Sequence, residues 1–349
     1  MTQFRMQLNC PLPTLDFDVV TMGHGSGGLL TNKLLDDVIL NLFSDESASE
    51  RHDGAQLQIE GNTAFTTDSF VVSPLFFPGG NIGDLAVNGT INDLAMCGAT
   101  PQYLSLSLII EEGLPMTELW EVLLTIQRCC QQSGVKVVTG DTKVVERGKG
   151  DKLFINTAGI GKVHEQASIG INRVQAGDKI IVSGSLANHG MAIMSVREGL
   201  EFETEIQTDS APLHQPVKDL LDEFGSSLHL LRDPTRGGVG TVLNEIARSA
   251  NLGVDLQQPA IPVDEQVAGA CELLGLDPLY VANEGLFLAI VAEDIYAAAL
   301  EQLRANGFPQ SACIGEVTNE HLRQVILTSG IGGRRVVNML AGEQLPRIC

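Results

Sequence analysis

Val135-Lys136-Val137-Val138-Thr139-Gly140-Asp141-Thr142-Lys143 decides the fold reading of this chain. Its first half is valine-rich and reads as a buried strand; its second half ends that strand in polar residues. Upstream, Met116–Gln132 reads as a helix and Tyr103–Ile110 as a strand. Further out, Ala64–Val72 and Leu153–Val163 are strands and Asp84–Cys97 is a helix. Leu29, Leu30, Leu34, Leu35, Val38, Ile39 and Leu42 recur at helical spacing. The second half alternates again. Asp178–Ser183, Phe287–Val291, Ala312–Val317, Gln324–Thr328 and Val336–Leu340 read as strands. Helices are expected over 187–197, 212–224, 238–250, 264–274 and 295–306. The polar stretch 164–177 divides the halves. The expected architecture is α/β (α+β), with two domains whose sheets are covered by helices. The divisions are an N-terminal extension (1–16), an N-terminal domain (17–165), a C-terminal domain (175–328) and a flexible tail (329–349).

A length of 349 residues suffices for two cores, and 44% hydrophobic with 5% aromatic residues suits an Ala/Val/Leu-rich enzyme better than an aromatic sandwich. The net charge of −21 argues against nucleic acid and anionic membranes as partners. It also makes a divalent cation an expectation if phosphates are handled. Cys10, Cys97, Cys129, Cys130, Cys271, Cys313 and Cys349 contain no CxxC pair and fit neither a zinc site nor a disulfide framework. With no leader pattern and no long apolar run, a soluble cytoplasmic protein is expected.

Several stretches carry chemistry. Gly23, Gly25 and Gly28 spell GxGxxG, but the acidic residues about twenty positions on fall in the loop with Asp45 and Glu46, away from a strand end. A dinucleotide turn, a phosphate lid using His24 and Ser26, and a plain glycine-rich loop all remain open. Asp68, in Thr66-Thr67-Asp68-Ser69, with Asp93 and Asp141 lies at element edges, as Mg²⁺ ligands facing a triphosphate would. Solvated, unrelated aspartates are the alternative. Lys143 adds a cation beside Asp141. Arg232-Asp233-Pro234-Thr235-Arg236-Gly237-Gly238 precedes a helix, which suits either anion capture or an ordinary cap. Glu284, in Asn283-Glu284-Gly285, stands at a strand mouth as a base or a turn residue. His24 and His189 read as polar loop histidines. The terminal Leu345-Pro346-Arg347-Ile348-Cys349 follows Gly330, Gly332, Gly333 and Gly342, so a tail of ten extended residues reaches roughly 35 Å. Arg334, Arg335 and Arg347 favour a thiolate there, and the terminal carboxylate opposes it.

Taken together, His24–Gly28, Thr66–Ser69, residues 74–81, Gly140–Lys143, Arg232–Gly238, Asn283–Gly285 and the Pro346–Cys349 end resemble the HypE family of hydrogenase-maturation carbamoyl dehydratases. That family lies in the aminoimidazole-ribonucleotide-synthetase-like superfamily, as do selenophosphate synthetase and thiamine-monophosphate kinase. The resemblance runs from about Gly23 to Cys349. It implies a two-domain fold with ATP bound by an N-terminal domain that forms a homodimer through its sheet. It further implies that a carbamoyltransferase loads Cys349, that ATP drives dehydration of the thiocarbamate to a thiocyanate, and that an iron-binding scaffold complex accepts the cyanide. On this pattern Cys349, Lys143 and Glu284 are catalytic. His24, Gly25, Ser26, Gly27, Gly28, Asp68, Asp93, Asp141, Asp233 and Arg236 bind ATP, with Mg²⁺ on Asp68, Asp93 and Asp141. The segment before Phe17 exceeds the family pattern, and Leu286 stands where a basic residue is common. A small-molecule kinase and a thiol metallochaperone are the competing readings.

Overall fold

The computed structural model describes residues 17–43, 54–199, 205–340, 342, 345 and 347–349. The expected 1–16 extension with Cys10, residues 44–53 of the acidic loop, and Pro346 lie outside the described residues. The N-terminal half is a four-stranded sheet of β1 (Thr63–Phe70), β2 (Ala99–Glu111), β3 (Lys136–Val145) and β4 (Leu153–Val163), ordered β1-β4-β2-β3. Helices α1 (Ile82–Met96) and α2 (Met116–Ser133) cover it. Strands β2 and β3 are parallel, so the chain needs a crossover between them, and α2 supplies it. Leu119, Leu123, Ile126 and Cys130 form the buried stripe of α2, and Gly134 ends it at φ 67, a conformation that favours glycine.

Among the described residues, only one face of this sheet is covered. Leu104, Leu106, Leu108, Ile110, Leu153 and Ile155 alternate inward against the two helices. On the other face Phe65 is 67% exposed and Ile109 43% exposed.

The C-terminal sheet has seven strands: β5 (Lys179–Val182), β6 (Leu228–Arg232), β7 (Gly253–Gln257), β8 (Leu288–Val291), β9 (Ala312–Thr318), β10 (Val325–Thr328) and β11 (Arg334–Val337). Their order is β11-β10-β7-β9-β5-β8-β6. Both faces are buried. Ile180, Val182, Leu288 and Ile290 enter one cluster; Ile181, Phe287, Ala289 and Val291 enter another. Helices α3 (Asn188–Glu198), α5 (Gly238–Ala250) and α6 (Glu265–Leu274) supply the first cluster, and α4 (His214–Phe224) and α7 (Tyr296–Ala305) the second.

Two strands, β6 and β7, go beyond the sequence expectation. Each is five residues long and interrupted by a polar residue, His229 or Asp255, whose partner is remote: His229 bonds Asp178 at 2.9 Å. The final strand, expected over 336–340 within the tail, is edge strand β11 over 334–337, so the stretch outside the sheet begins after Val337.

The halves are fastened at α1. Asn92, 1% exposed, donates to the carbonyls of Ala211 (3.0 Å) and Glu284 (3.1 Å) and accepts from Leu213 N–H (2.8 Å). Such a satisfied buried amide fixes a seam as well as a core does. The next residue, Asp93, interacts with Arg232 and Asp233 of the C-terminal half. Among the described residues, no helix is long and apolar enough to cross a membrane.

Candidate functional site

The site lies along that seam, and the tail ends in it. Residues 347–349 run beside 71–73: Ser73 N–H donates to Arg347 O and Val71 N–H to Cys349 O, each at 3.3 Å. Ile348 is 2% exposed within the N-terminal core, which by area alone is worth about 2 kcal/mol of docking. Arg197 donates to the carbonyls of Ser73 and Arg347, and Arg347 turns outward to pair with Asp151. The Cys349 thiol thereby reaches the Glu284 carboxyl and hydrogen-bonds to it.

The thiol's electrostatics differ from the sequence expectation. Arg334 pairs with Asp255 (2.9 Å), Arg335 with Asp277 (2.5 Å), and Arg347 points away. None of the three supports a thiolate. Burial drives the thiol well above its ordinary pKa, the Glu284 and Asp68 charges push the same way, and Arg236 alone opposes. The docked sulfur is a protonated thiol.

Four carboxyls interact along the seam, and two of them, Glu284 and Asp68, act on the thiol. Asp68 projects from the covered face of β1; burial and the neighbouring Asp93 push it up to about 6, against the pull of Arg236. Asp93 is raised by burial and accepts a 2.6 Å hydrogen bond from Thr66. Asp233, just past β6, is pushed to about 7 by burial and then by Asp93. Glu284 is raised well above the ordinary carboxylate range by burial, then by Asp209, Asp233 and Asp68. Its Oε1 is buried without a hydrogen-bond partner.

Backbone geometry holds Glu284 in place. The Asp209 carboxylate accepts from the N–H groups of Glu284 (3.2 Å) and Gly285 (3.1 Å). Any Cβ at Gly285 would come within 1.7 Å of Asp209 O, which is why glycine follows the glutamate. Asn283, fully buried, donates to Pro234 O (2.9 Å) and so ties this turn to the Asp233 loop. Asp209 went unnoticed in the sequence because Gln207-Thr208-Asp209-Ser210 reads as an ordinary polar loop.

Asp141 and Lys143 stand apart from this cluster. Asp68 aligns across the sheet with Thr157, Leu106 and Gly140, so those residues share the covered face. Asp141 aligns with Ser107, one residue on, and therefore faces the open side. Three strand spacings, about 14 Å, separate it from Asp68. It is exposed, paired to Lys143 at 2.6 Å and held below its ordinary pKa by that bond. Among the described residues, no three His, Cys, Asp or Glu side chains gather as a metal cluster.

The glycine loop is a short helical turn, Met22–Gly25, leading into a helix at Leu29. His24 is no loop residue: its ring is 5% exposed, accepts Thr21 N–H at 3.0 Å and packs edge-on against Phe17. Gly25 presses on Val144, with 2.7 Å left for a Cβ. Ser26 donates to Gly23 O, while Gly27, at φ +80, faces open space. His189 is also buried, at the start of α3. Leu286 belongs to the core, and Arg236 is the cation whose charge acts to lower the thiol pKa.

Residues 51–163 match the AIR synthase related protein N-terminal domain, and 175–327 its C-terminal domain. The chain is 48% identical over 332 residues to carbamoyl dehydratase HypE of Bradyrhizobium diazoefficiens, covering 95% of this chain and 96% of that one. It is 42% identical to the Escherichia coli K12 carbamoyl dehydratase HypE, covering 95% and 99%. A crystal structure of hydrogenase maturation protein HypE in complex with ATP superposes with a TM-score of 0.91 at 44% identity, covering 94% and 99%. A HypE–HypF complex gives 0.78 at 42% identity, covering 88% and 99%. Thiamine monophosphate kinase of Aquifex aeolicus, at 17% identity and a TM-score of 0.58, shares the fold alone.

Proposed function

Because the chain belongs to the HypE family of carbamoyl dehydratases, within the AIR synthase related proteins, we propose that it uses ATP to dehydrate a carbamoyl group carried on its own Cys349. The observation that carries this reading is the docked tail: the final thiol lies against Glu284, whose Oε1 is buried with no partner. A thiocarbamate on that sulfur brings an amide N–H to the orphaned oxygen, which an empty thiol cannot satisfy.

The reaction balances as follows. The carbamoyl oxygen attacks the γ-phosphorus of ATP, ADP leaves, and one amide proton passes to Glu284. The carbon–oxygen bond then breaks, phosphate departs with that oxygen, and loss of the second N–H proton completes the C≡N bond. Thiocarbamate and ATP yield thiocyanate, ADP, phosphate and one proton. Burial of Glu284 makes its carboxylate a stronger base than an exposed one. Arg236 is near enough to both Asp68 and Cys349 to steady developing negative charge. The Asp68–Asp93 pair fits Mg²⁺, which takes one or two carboxylates and leaves its other positions to water and phosphate oxygens. Bound there, Mg²⁺ would screen the triphosphate. The open Ser26–Gly28 end of the glycine loop suits a phosphate lid, and Asp233 would line the cleft.

Loading must happen elsewhere, because a buried protonated thiol is a poor nucleophile. The tail leaves its slot, a carbamoyltransferase charges it, and it returns; the HypE–HypF complex of a relative supports such a protein partner. An iron-binding scaffold then takes the cyanide. ATP dependence and a tail thiol that must stay reduced suit the cytoplasm.

We further propose that a second copy covers the open face of the N-terminal sheet, forming a homodimer. Asp141 and Lys143 lie on that face and would serve the site of the neighbouring copy, which reconciles the expected roles of both with their distance from Cys349. Phe65→Glu is expected to convert a dimer into a monomer in light scattering. A wild-type protein with the mass of one chain would contradict this interface.

Coupling between ATP and the tail tests the reaction itself. With loaded protein in a single turnover, one phosphate should appear per thiocyanate formed. ATP turnover that ignores the state of Cys349 would favour the small-molecule kinase reading, and thiocyanate formed without ATP would sink the proposal.

A further inference from the structure

His189 is wholly buried, yet it touches none of the carboxyls that surround the thiol by hydrogen bond; its two ring nitrogens are spent on other partners. Nε2 lies 2.9 Å from Ile348 O. A carbonyl only accepts, so Nε2 bears the hydrogen and donates. Nδ1 lies 2.8 Å from Thr208 Oγ1 and, in the neutral ring, accepts from that hydroxyl. Thr208 Oγ1 in turn accepts Ser210 N–H at 3.1 Å, which orients it. Burial lowers the His189 pKa, with Asp209 pulling the other way and Arg197 reinforcing the decrease. The neutral tautomer that this network needs is therefore the one that burial favours.

The tail's three last carbonyls alternate in direction. Those of Arg347 and Cys349 face Ser73 and Val71, and that of Ile348 faces the opposite wall, where His189 meets it. Thr208 is anchored to the N-terminal half through its N–H to Pro78 O at 3.0 Å. Its neighbour Asp209 holds the backbone of Glu284 and Gly285. One short segment thus fixes both the residue that seats the tail and the turn that carries the carboxyl.

We propose that His189 is a positioning residue: by donating to the carbonyl of Ile348 from a ring oriented by Thr208, it sets the Cys349 sulfur in register with Glu284. This rests on the reading of Cys349 as the substrate carrier, and it adds the device that places the carrier. His189 forms no bond to the carbamoyl group. Removing its donor leaves a buried carbonyl unpaired, which loosens docking without touching the chemistry.

The test uses the full-length protein in two separate assays. In the first, Cys349 of the unloaded protein is alkylated with iodoacetamide and its C-terminal peptide followed by mass spectrometry. His189→Leu should speed alkylation about tenfold, as expected for one lost buried hydrogen bond, and Thr208→Val about threefold. His189→Gln, whose amide can donate from a similar position, should stay within about twofold of wild type. In the second, transferase loading of His189→Leu should be at least as fast as that of the wild type, because the tail leaves its slot more readily, while dehydration of the loaded tail in a single turnover slows about tenfold. Wild-type alkylation in both His189→Leu and Thr208→Val would overturn the proposal. So would a His189→Gln protein as impaired as His189→Leu, since the ring and not its donor would then matter. If His189→Leu does not fold, Thr208→Val and His189→Gln decide the matter by the same criteria. A wild-type protein that fails to dehydrate a loaded tail refutes the carrier reading alone, because the alkylation assay needs no carbamoyl group.

Discussion

Cys349→Ala will abolish product altogether: no carbamoyl group is retained on the protein and no thiocyanate forms, a loss beyond the reach of any assay. On the proposed reaction the thiol is the attachment point, and among the described residues no other cysteine is placed to substitute for it. Cys97, Cys129, Cys130, Cys271 and Cys313 all have thiols raised by burial, and none hydrogen-bonds to Glu284. Folding should survive, because the alanine methyl keeps the small apolar contact while Ile348 remains in its pocket. Thermal unfolding within a few degrees of wild type, with carbamoyl incorporation absent, is the expected pair of results. ATP binding should also persist, since the proposed nucleotide-facing aspartates are untouched. Thiocyanate from the alanine protein would refute the carrier role outright.

Glu284→Gln is the second large effect. Glutamine preserves shape and the backbone bonds to Asp209, but cannot take a proton, so dehydration of the loaded tail should fall about 10²–10⁴-fold, the usual worth of a positioned base. Loading by the transferase should be unaffected. The pH dependence supplies an independent check. A base works deprotonated, and burial with three neighbouring carboxyls raises the Glu284 pKa, so activity must fall on acidification well above the ordinary carboxylate value of 4.5. The rate should climb with pH through that limb, and the glutamine variant should lose the limb along with the rate. A variant that dehydrates normally, or a wild-type limb at the value of an exposed carboxylate, would remove Glu284 from the mechanism.

Much of this was legible in the sequence, for local reasons. The strand-helix-strand unit from Tyr103 to Lys143 announces itself through a β-branched run and a helical apolar stripe. Asp68, Asp93, Asp233, Arg236, Glu284 and Cys349 stand out in the sequence, and the structure brings them to the seam together with Asp209. What sequence did not reveal was distance and direction. Asp209 meets Glu284 across 75 residues, and His189 meets Ile348 across 159, from stretches that look like polar loops. The face on which Asp141 lies depends on strand register, and β2 and β3 change register between Leu104 and Ser105, so counting residues along the strand does not yield it. The charges around the thiol follow the same rule. Arg334 and Arg335 are near Cys349 in sequence but are committed to Asp255 and Asp277.

Mass spectrometry of the C-terminal peptide tests the central claim most directly. The wild-type chain is incubated with its carbamoyltransferase and carbamoyl phosphate, then with ATP and Mg²⁺. The account predicts a carbamoyl mass gain on Cys349 that shrinks by one water when ATP reaches this chain's own site. A gain located on any other residue, or one that ATP leaves unchanged while the chain still hydrolyses it, would contradict the account.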